Sequence, residues 1–233
     1  MNDISCWELK YQSCTYSESL INKINLQNEK SNHQVDLLQI KKAIYYAKKY
    51  HGSQKRLSGE PYYSHPLAVA ELVTPHCFKT DILVTSILHD TIEDTDLTKD
   101  RIEYIFDANI ASKVDDLTRV KIDRKISSAE MLELLWLQKK KELLLVKFFD
   151  RLHNIQTIKS KSPLKIKKIL DETFKDFIIL ASYLEIVDIE EKLKKLCLQI
   201  MFNRNLETDS PLSLFNGNFQ LPFLIFENEI FQD

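Results

Sequence analysis

Carboxylate and imidazole side chains crowd into one short stretch of the chain, at a spacing that could hold a metal ion. If residues 82–94 form one helix, Asp90 and Asp94 lie four residues apart. His89 and Glu93 have the same spacing, so three carboxylates and an imidazole occupy neighbouring parts of one helix surface. Like charges at such close range are unfavourable unless a cation neutralises them or burial keeps one protonated. The pattern points to a bound metal; the alternative is a solvated acidic helix end.

Two more residues complete a set with the chemistry of a metal hydrolase. His65 follows a polar loop. Asp150 follows the apolar run Leu143–Val146, and an aspartate behind a buried run needs a partner. Arg151 could be that partner in an ordinary ion pair. Two imidazoles and two carboxylates suit manganese or iron better than calcium and leave coordination positions open, while a further carboxylate could orient a water nucleophile or move its proton.

The elements that carry these residues are predicted to be helices. The chain contains only three glycines, whereas a β-rich or doubly wound fold would need more of them in its turns. Apolar residues recur at helical spacing from about Val35, and a polar loop at residues 51–63 follows this first helix. The second helix, at residues 65–73, has a proline in its first turn and ends before Pro75. Further helices are predicted at residues 80–93, 98–106, 108–119, 128–139, 142–157, 163–183 and 186–202.

We expect one helical domain at residues 35–202, with a segment on either side of it. Residues 1–34 are polar and aperiodic, which predicts a loosely packed extension. Residues 203–233 mix Asn, Asp, Ser and Pro with phenylalanines and are too short for a second catalytic domain. This Phe-rich tail is either a strap docked on the helical body or a remnant of a longer chain, and a partner-binding tail is a weaker third option.

Composition excludes several classes of partner. A formal net charge of −2 gives no general attraction to nucleic acid or to an acidic membrane surface. The run Lys139–Lys141 and the group Lys165, Lys167 and Lys168 could touch phosphates, but solvated helix faces are the better interpretation. The apolar stretches are too short to span a bilayer, the amino terminus lacks the pattern of a signal peptide, and no cysteines form a CxxC pair. We therefore expect reduced thiols in a cytoplasmic protein.

Ordered sequence blocks around these residues resemble the hydrolase domains of the bacterial RelA/SpoT alarmone enzymes, which are HD-domain metal phosphohydrolases. Chance does not account for five blocks in the same order. A weaker similarity continues to about residue 202, where those enzymes lead into a synthetase domain that does not follow here. The blocks are His51–Arg56, Ser58–Tyr62 with His65 and Pro66, Leu88–Asp90 with Glu93–Thr95, Lys147, and Asp150–Asn154.

That resemblance implies an all-α HD-domain helical bundle that binds manganese. It implies removal of the 3′-pyrophosphate from guanosine tetra- or pentaphosphate to give GDP or GTP. Any synthesis of the alarmone would then need a separate protein. Lys147 could face the pocket, although a lysine that snorkels from a buried helix is nearly as plausible. The roles carried over are metal ligands for His65, His89, Asp90 and Asp150, water activation for Glu93 and Asp94, and substrate binding for Arg56, Ser58, Lys147, Asn154 and Thr157.

Some positions depart from the family pattern. Leu57 stands where relatives often have a basic or small residue, and Gln156 stands where an arginine is common. Both changes would remove charge from the pocket, so affinity or phosphate preference could differ. The segment from Arg119 to Leu143 is also expected to be short and poor in the usual basic residues. Because the metal ligands and both water-activating carboxylates are present, we expect an active enzyme.

Two alternatives stay open. The same metal chemistry could act on another phosphorylated nucleotide, or the chain could be a helical module that binds the alarmone or a protein partner without hydrolysis. Several aromatic and imidazole side chains are expected to be structural. His51 is predicted to close the first helix, His153 to hydrogen-bond within the core, and Tyr62 and Tyr63 to pack in the loop.

Overall fold

A computed structural model of the protein describes residues 6–120 and 124–204, and these residues fold into helices. Neither range contains a strand; two isolated bridges pair Lys55 with Pro61 and Val120 with Lys125. The predicted all-α fold class is confirmed. The helices are α1 Trp7–Lys10, α2 Thr15–Asn28, α3 Leu37–His51, α4 Ser64–Val73, α5 Thr80–Leu88, α6 Thr91–Asp94, α7 Lys99–Ile105, α8 Ala108–Asp116, α9 Ser128–Leu137, α10 Lys141–Gln156, α11 Pro163–Glu172, α12 Ile178–Tyr183 and α13 Val187–Arg204.

Helix α5 lies at the centre of the core. Its residues 82–88 are all buried, and a helix that is buried on every side must be covered by several neighbours. Helices α3, α4, α8 and α10 all pack against it. Removing this apolar surface from water stabilises the fold by about 25 cal/mol for each Å² buried. The helices that carry the candidate site, α4, α5 and α10, are therefore held by the best-packed part of the molecule.

The loop between α3 and α4 is closed by backbone contacts. Gly52 ends α3 with a φ of 50°, a left-handed conformation that favours glycine. The Arg56 backbone N–H then donates to the Glu60 carbonyl at 2.9 Å, next to the bridge between Lys55 and Pro61. This short reversal places Arg56 and Ser58 at the edge of the helical body.

The sequence predicted an unbroken helix at residues 80–93, and this prediction was wrong at the two residues of greatest interest. Helix α5 ends at Leu88 and α6 begins at Thr91, so His89 and Asp90 lie in the turn between them. Side chains make hydrogen bonds to backbone carbonyls that backbone N–H groups would bind if the helix continued. The His89 ring contacts the Ser86 carbonyl at 2.7 Å, and the Thr91 hydroxyl donates to the Leu88 carbonyl at 2.7 Å.

The prediction of a loosely packed extension at residues 1–34 was also wrong for its described part. Helix α2 packs against α4, and Leu20 and Ile24 on α2 are fully buried. The few apolar residues of α2 give a weak amphipathic pattern, but they point to one side and join the core. The folded body thus begins well before residue 35. The Phe-rich tail, apart from residues 203 and 204, lies outside the described residues.

Two further observations concern membrane spans and disulfide bonds. In the described ranges, no helix combines the length and apolar character that crossing a bilayer requires. None of the four cysteines, all of which lie in those ranges, forms a disulfide bond.

Candidate metal centre

The side chains singled out from sequence converge on one cavity of about 620 Å³. His89 is almost fully buried and is not among the described residues that line the cavity. We use the name metal centre for His65, His89, Asp90 and Asp150. Ten predicted site residues line the cavity directly: Arg56, Ser58, His65, Asp90, Glu93, Asp94, Lys147, Asp150, Asn154 and Thr157.

The His65 ring, in the first turn of α4, is oriented by a second histidine. Its Nδ1 lies 2.8 Å from Nδ1 of His153, so one of the two nitrogens must donate a proton to the other. Burial lowers the pKa of His153 to about 3, with the charges of His65 and Arg56 acting in the same direction, so His153 is neutral and can accept. When His153 is the acceptor, His65 carries its proton on Nδ1, and its Nε2, 3.1 Å from Asp150 Oδ1, is available to a cation placed between the two side chains.

His89 is fixed in the same tautomer by the backbone. Its Nδ1 lies 2.7 Å from the Ser86 carbonyl oxygen, which can only accept, so Nδ1 carries the proton. Its Nε2 lies 3.0 Å from Asp90 Oδ1 and 3.8 Å from Asp150 Oδ1. This nitrogen is buried and makes no hydrogen bond, because the contact with Asp90 is close but poorly directed. A buried nitrogen facing two carboxylates is satisfied by a cation between them.

Asp150 is held by contacts to both of its oxygens. Its Oδ1 lies 3.1 Å from His65 Nε2 and accepts from Asn154 Nδ2 at 2.6 Å. Its Oδ2 pairs with Lys147 Nζ at 2.7 Å. Asn154 lies one turn after Asp150 on α10, and Lys147 lies one turn before it, so the helix itself aligns the three side chains. Arg151, the alternative partner considered from sequence, pairs instead with Glu172 at 2.8 Å.

The electrostatics of the centre also fit a cation. Burial raises the pKa of Asp150, but Lys147 and the two centre histidines outweigh it and hold that pKa well below its usual range. Burial lowers the pKa of His89, but Asp90 and Asp150 outweigh it and raise that pKa to about 10. The site therefore stabilises positive charge at its middle. Oxygen and imidazole ligands in this ratio suit a divalent transition metal, and one ligand atom each from His65, His89 and Asp150 fall within 4.8 Å of one another.

Two carboxylates beside the centre have opposite environments. Burial raises the pKa of Glu93, but Lys125 at 2.7 Å and Arg119 at 2.9 Å lower it overall. The pKa of Asp94 is raised, mainly by burial, while the Tyr62 hydroxyl, which donates to Asp94 Oδ2 at 2.7 Å, opposes that shift. Glu93 is thus a fixed anion, and Asp94 is the better proton acceptor of the two.

Several residues of the site were missed by reasoning from sequence. Tyr62 was assigned to loop packing, but its hydroxyl reaches both Asp94 and Asp90, the latter at 3.3 Å. Arg119 and Lys125 bind Glu93, although their segment was expected to lack useful basic residues. The sequence did contain a signal for Lys125, because several basic residues lie in that segment. The pairing of Lys125 with Glu93 depends on the backbone bridge between Val120 and Lys125, which the sequence does not reveal.

Other predictions have mixed outcomes. His51 is the last residue of α3 and is buried, as expected, with its ring stacked on Tyr62. Leu57 lines the cavity and is 71% exposed, so a charged residue at this position could reach the ligand. Gln156 is exposed and is not among the described residues that line the cavity. The supposed loss of pocket charge at Gln156 is therefore not supported.

Comparisons with known proteins show the family of this chain. The family model described as HD domain matches residues 43–187. The chain is 39% identical over 163 residues to a Brucella ovis protein named GTP pyrophosphokinase rsh, a match that covers 67% of this chain and 22% of that protein. It is 34% identical over 172 residues to an Aquifex aeolicus protein named guanosine-3′,5′-bis(diphosphate) 3′-pyrophosphohydrolase, with 72% of this chain and 25% of that protein covered.

A solved structure has a similar fold. It is described as a metazoan ortholog of SpoT that hydrolyses ppGpp, and it superposes with a TM-score of 0.50 at 19% sequence identity. The match covers 72% of this chain and 97% of that one. The chain spans about a quarter of the length of the curated relatives named above. Residues 43–187, which the family model matches, contain the metal centre.

Proposed function

Because the chain belongs to the HD-domain family, we propose that it is a divalent-metal-dependent hydrolase that removes the 3′-pyrophosphate from guanosine tetra- or pentaphosphate. Relatives named as 3′-pyrophosphohydrolases of this nucleotide support the choice of substrate. They also bear out the resemblance to RelA/SpoT hydrolase domains that the sequence blocks predicted.

One observation carries the proposal more than any other. Both histidines of the metal centre direct Nε2 at Asp90 and Asp150, and His65, Asp90 and Asp150 line an open cavity. A structural metal site is normally closed by its protein ligands, whereas a catalytic one leaves room for water and substrate. The cavity beside this centre is large enough for a nucleotide.

The residues of the centre would hold the ion, and we propose manganese as the native one. A divalent cation bound there would lower the pKa of a water molecule and polarise a phosphoryl oxygen. In the reaction, the water oxygen bonds to the phosphorus attached at O3′, the bond from that phosphorus to O3′ breaks, and pyrophosphate leaves. O3′ takes up a proton, so the other product is GDP or GTP.

The neighbouring carboxylates divide the proton chemistry. Asp94 takes the proton from the attacking water, because its raised pKa makes it the stronger base of the pair. Glu93 stays ionised between Arg119 and Lys125 and fixes the position of that wall of the cavity. Tyr62 holds the Asp94 carboxylate through its hydroxyl, so the base is oriented before substrate binds.

The substrate contacts proposed from sequence line the same cavity as the centre. Arg56 Nη2 donates to the Thr157 hydroxyl at 2.9 Å, so the loop after α3 and the end of α10 meet over the cavity. Ser58 lies in the same loop, and Asn154 lines the wall between Thr157 and Asp150. We propose that these four side chains hold the nucleoside and its 3′-phosphates. Lys147 contacts Asp150, so its first role is to fix that carboxylate.

The cellular setting follows from the same proposal. Intracellular nucleotides are the substrate, so we propose a cytoplasmic enzyme.

The test is a hydrolysis assay on the purified chain. Guanosine tetraphosphate with manganese should give pyrophosphate and GDP, and a chelator should stop the reaction until manganese is restored. Asp90→Ala should abolish turnover. Asp96→Ala is the matched control, because Asp96 is an exposed aspartate in the same segment and does not line the cavity.

A substrate panel separates the proposal from its alternatives. Nucleotides with 3′- or 2′-monophosphates should be poor substrates, and release of phosphate in place of pyrophosphate would point to a different nucleotide. Tight binding of guanosine tetraphosphate without turnover, in the manganese-loaded protein, would make the chain a binding module and refute the enzymatic proposal.

A further inference from the structure

Three lysines from one stretch of the chain line the same cavity as the metal centre and pair with none of its carboxylates. They are Lys161, which follows the 3₁₀ turn Ile158–Ser160, and Lys165 and Lys168 on α11. We call them the lysine cluster. Lys165 and Lys168 are three residues apart and so share one helix face, while Lys161 precedes the first turn of that helix.

The lysine cluster has no carboxylate partner among the described residues. Other lysines of this region do: Lys125 pairs with Glu93, and Lys147 pairs with Asp150. Lys167, between the two cluster lysines of α11, turns away to pair with Asp171 at 3.3 Å and does not line the cavity. The sequence suggested that Lys165, Lys167 and Lys168 form one solvated helix face. In the structure, Lys165 and Lys168 line the cavity and Lys167 does not.

The cluster is a distinct electrostatic region of the cavity. Lys161 is about half buried, and its pKa is lowered first by burial and then by Lys165 and Arg56. Close cations without counter-ions repel one another, and a concave surface concentrates their potential. An anion in the cavity would relieve this repulsion. Asp150 offsets part of the repulsion at Lys161, but the carboxylates near the metal centre are already paired or held by hydrogen bonds.

The order of side chains along the chain relates this region to the proposed substrate. Asp150, Asn154, Thr157 and Lys161 follow one another at intervals of about one helical turn, and all line the cavity. Asp150 belongs to the metal centre, and Asn154 and Thr157 are the proposed nucleoside contacts. The lysines therefore begin where the nucleoside contacts end. A nucleoside held there with its 3′-phosphates at the metal would direct its 5′ side towards the lysines.

We propose that the lysine cluster is a binding subsite for the 5′-di- or triphosphate of the nucleotide, distinct from the metal centre that acts on its 3′ end. This inference rests on the proposed function for the orientation of the substrate. Phosphate oxygens accept strong, charge-assisted hydrogen bonds from lysine. A substrate with phosphates on both sides of its ribose would thus be held at two regions of the cavity.

The first experiment varies the 5′ side of the substrate. Guanosine 3′-diphosphates that carry a 5′-hydroxyl, a 5′-diphosphate or a 5′-triphosphate are compared by kcat/KM with the manganese-loaded full chain. We expect the 5′-phosphorylated substrates to be favoured about tenfold or more, the size expected for hydrogen bonds to a charged group. Lys165→Gln combined with Lys168→Gln should remove most of that preference and leave kcat/KM for the 5′-hydroxyl substrate unchanged.

Two matched variants control for general effects on charge and folding. Lys167→Gln removes a lysine from the same helix but outside the cavity, so the 5′ preference should persist. Lys165→Arg combined with Lys168→Arg keeps the charges and should retain the preference. An equal loss of kcat/KM for all substrates in the Gln double variant, or an equal effect of Lys167→Gln, would overturn the subsite.

A binding measurement makes the inference independent of turnover. Titration calorimetry compares GDP with guanosine on the same proteins, because GDP carries a 5′-diphosphate and no 3′-phosphate. We expect GDP to bind about tenfold or more tightly than guanosine, and the Gln double variant to lose this difference. If the chain hydrolyses the alarmone and the Gln double variant binds GDP as tightly as the unchanged protein, the subsite is wrong and the proposed function stands. If the chain does not hydrolyse the alarmone, and the Gln double variant loses its preference for GDP, the subsite stands and the proposed function is wrong.

Discussion

The metal centre and the lysine cluster line one cavity but balance their charges in different ways. In the metal centre, neighbouring side chains fix each carboxylate. Asp150, for example, contacts the three side chains of His65, Asn154 and Lys147. The side chains of Lys165 and Lys168 are exposed and have no carboxylate partner in the described chain. One region is organised before any ligand arrives, and the other is organised by its ligand.

This difference predicts two kinds of behaviour. Fixed groups stabilise a transition state because they need no reorganisation during the reaction, so changes at the metal centre should reduce kcat. Exposed charges attract an anion through solvent, so changes in the lysine cluster should alter affinity and its dependence on salt. The predictions below test whether the two regions separate in this way.

The largest effect is expected for Asp150→Asn. This change keeps the shape of the side chain but removes a charge that two histidines and a lysine surround. We expect kcat to fall on the order of 10⁴-fold, the scale seen when one member of a cooperating catalytic set is removed. The assay is pyrophosphate release with saturating manganese and guanosine tetraphosphate.

Asp171→Asn is the control for this substitution. Asp171 also pairs with a lysine one turn away, but it lies outside the cavity. Retention of more than a tenth of the activity by Asp150→Asn would show that Asp150 is not a metal ligand, and the comparison between the two regions would lose its basis.

Residue type and spacing indicated a metal site, and the resemblance to a known family assigned His65, His89, Asp90 and Asp150 as its ligands. The fold brings these four side chains together on α4, the turn after α5, and α10, and their binding of an ion stays a prediction. The conformation at His89 and Asp90 could not be predicted. No glycine or proline marks the break between α5 and α6; it depends on hydrogen bonds from the His89 and Thr91 side chains.

The groups around the centre were harder to predict because they come from distant parts of the chain. Tyr62 reaches Asp94 across 32 positions, and Arg119 reaches Glu93 across 26. Such pairs depend on how loops pack on the finished fold, which local patterns do not encode. The same holds for α2, whose apolar residues are few but meet α4.

A smaller loss is expected for Asp94→Asn. The amide cannot take a proton from water, so kcat should fall about 10²-fold or more, the usual contribution of a general base. Manganese affinity, measured by calorimetry, should stay within about twofold because Asp94 is not one of the proposed ligands. Asp96→Asn should change neither quantity. Loss of manganese binding in Asp94→Asn would instead place this carboxylate among the ligands.

His153→Phe should weaken manganese binding and should not change the hydrolysis step directly. The phenyl ring fills the same space but cannot accept the proton of His65 Nδ1, so the tautomer and orientation of His65 are no longer fixed. We expect manganese affinity to weaken by about 10- to 100-fold, the usual cost of losing a partner of a metal ligand. Excess manganese should restore most of the activity.

His76→Phe is the matched control for that ring exchange. His76 packs against Phe149 and does not line the cavity, so manganese affinity should not change. If the loss of activity in His153→Phe persists at high manganese, His153 contacts the substrate and its role in orienting His65 is secondary.

The smallest effect is expected from salt, and it separates the two regions without any change at the metal centre. Raising the ionic strength from about 0.01 M to about 0.15 M shortens the screening length from about 30 Å to about 8 Å. KM for guanosine tetraphosphate should rise severalfold, because the exposed lysines lose their attraction for the 5′-phosphates, while kcat should change little because the centre is buried. In the Lys165→Gln and Lys168→Gln double variant, KM should start higher and depend less on salt. If kcat and KM respond to salt equally in both proteins, the two regions do not act independently.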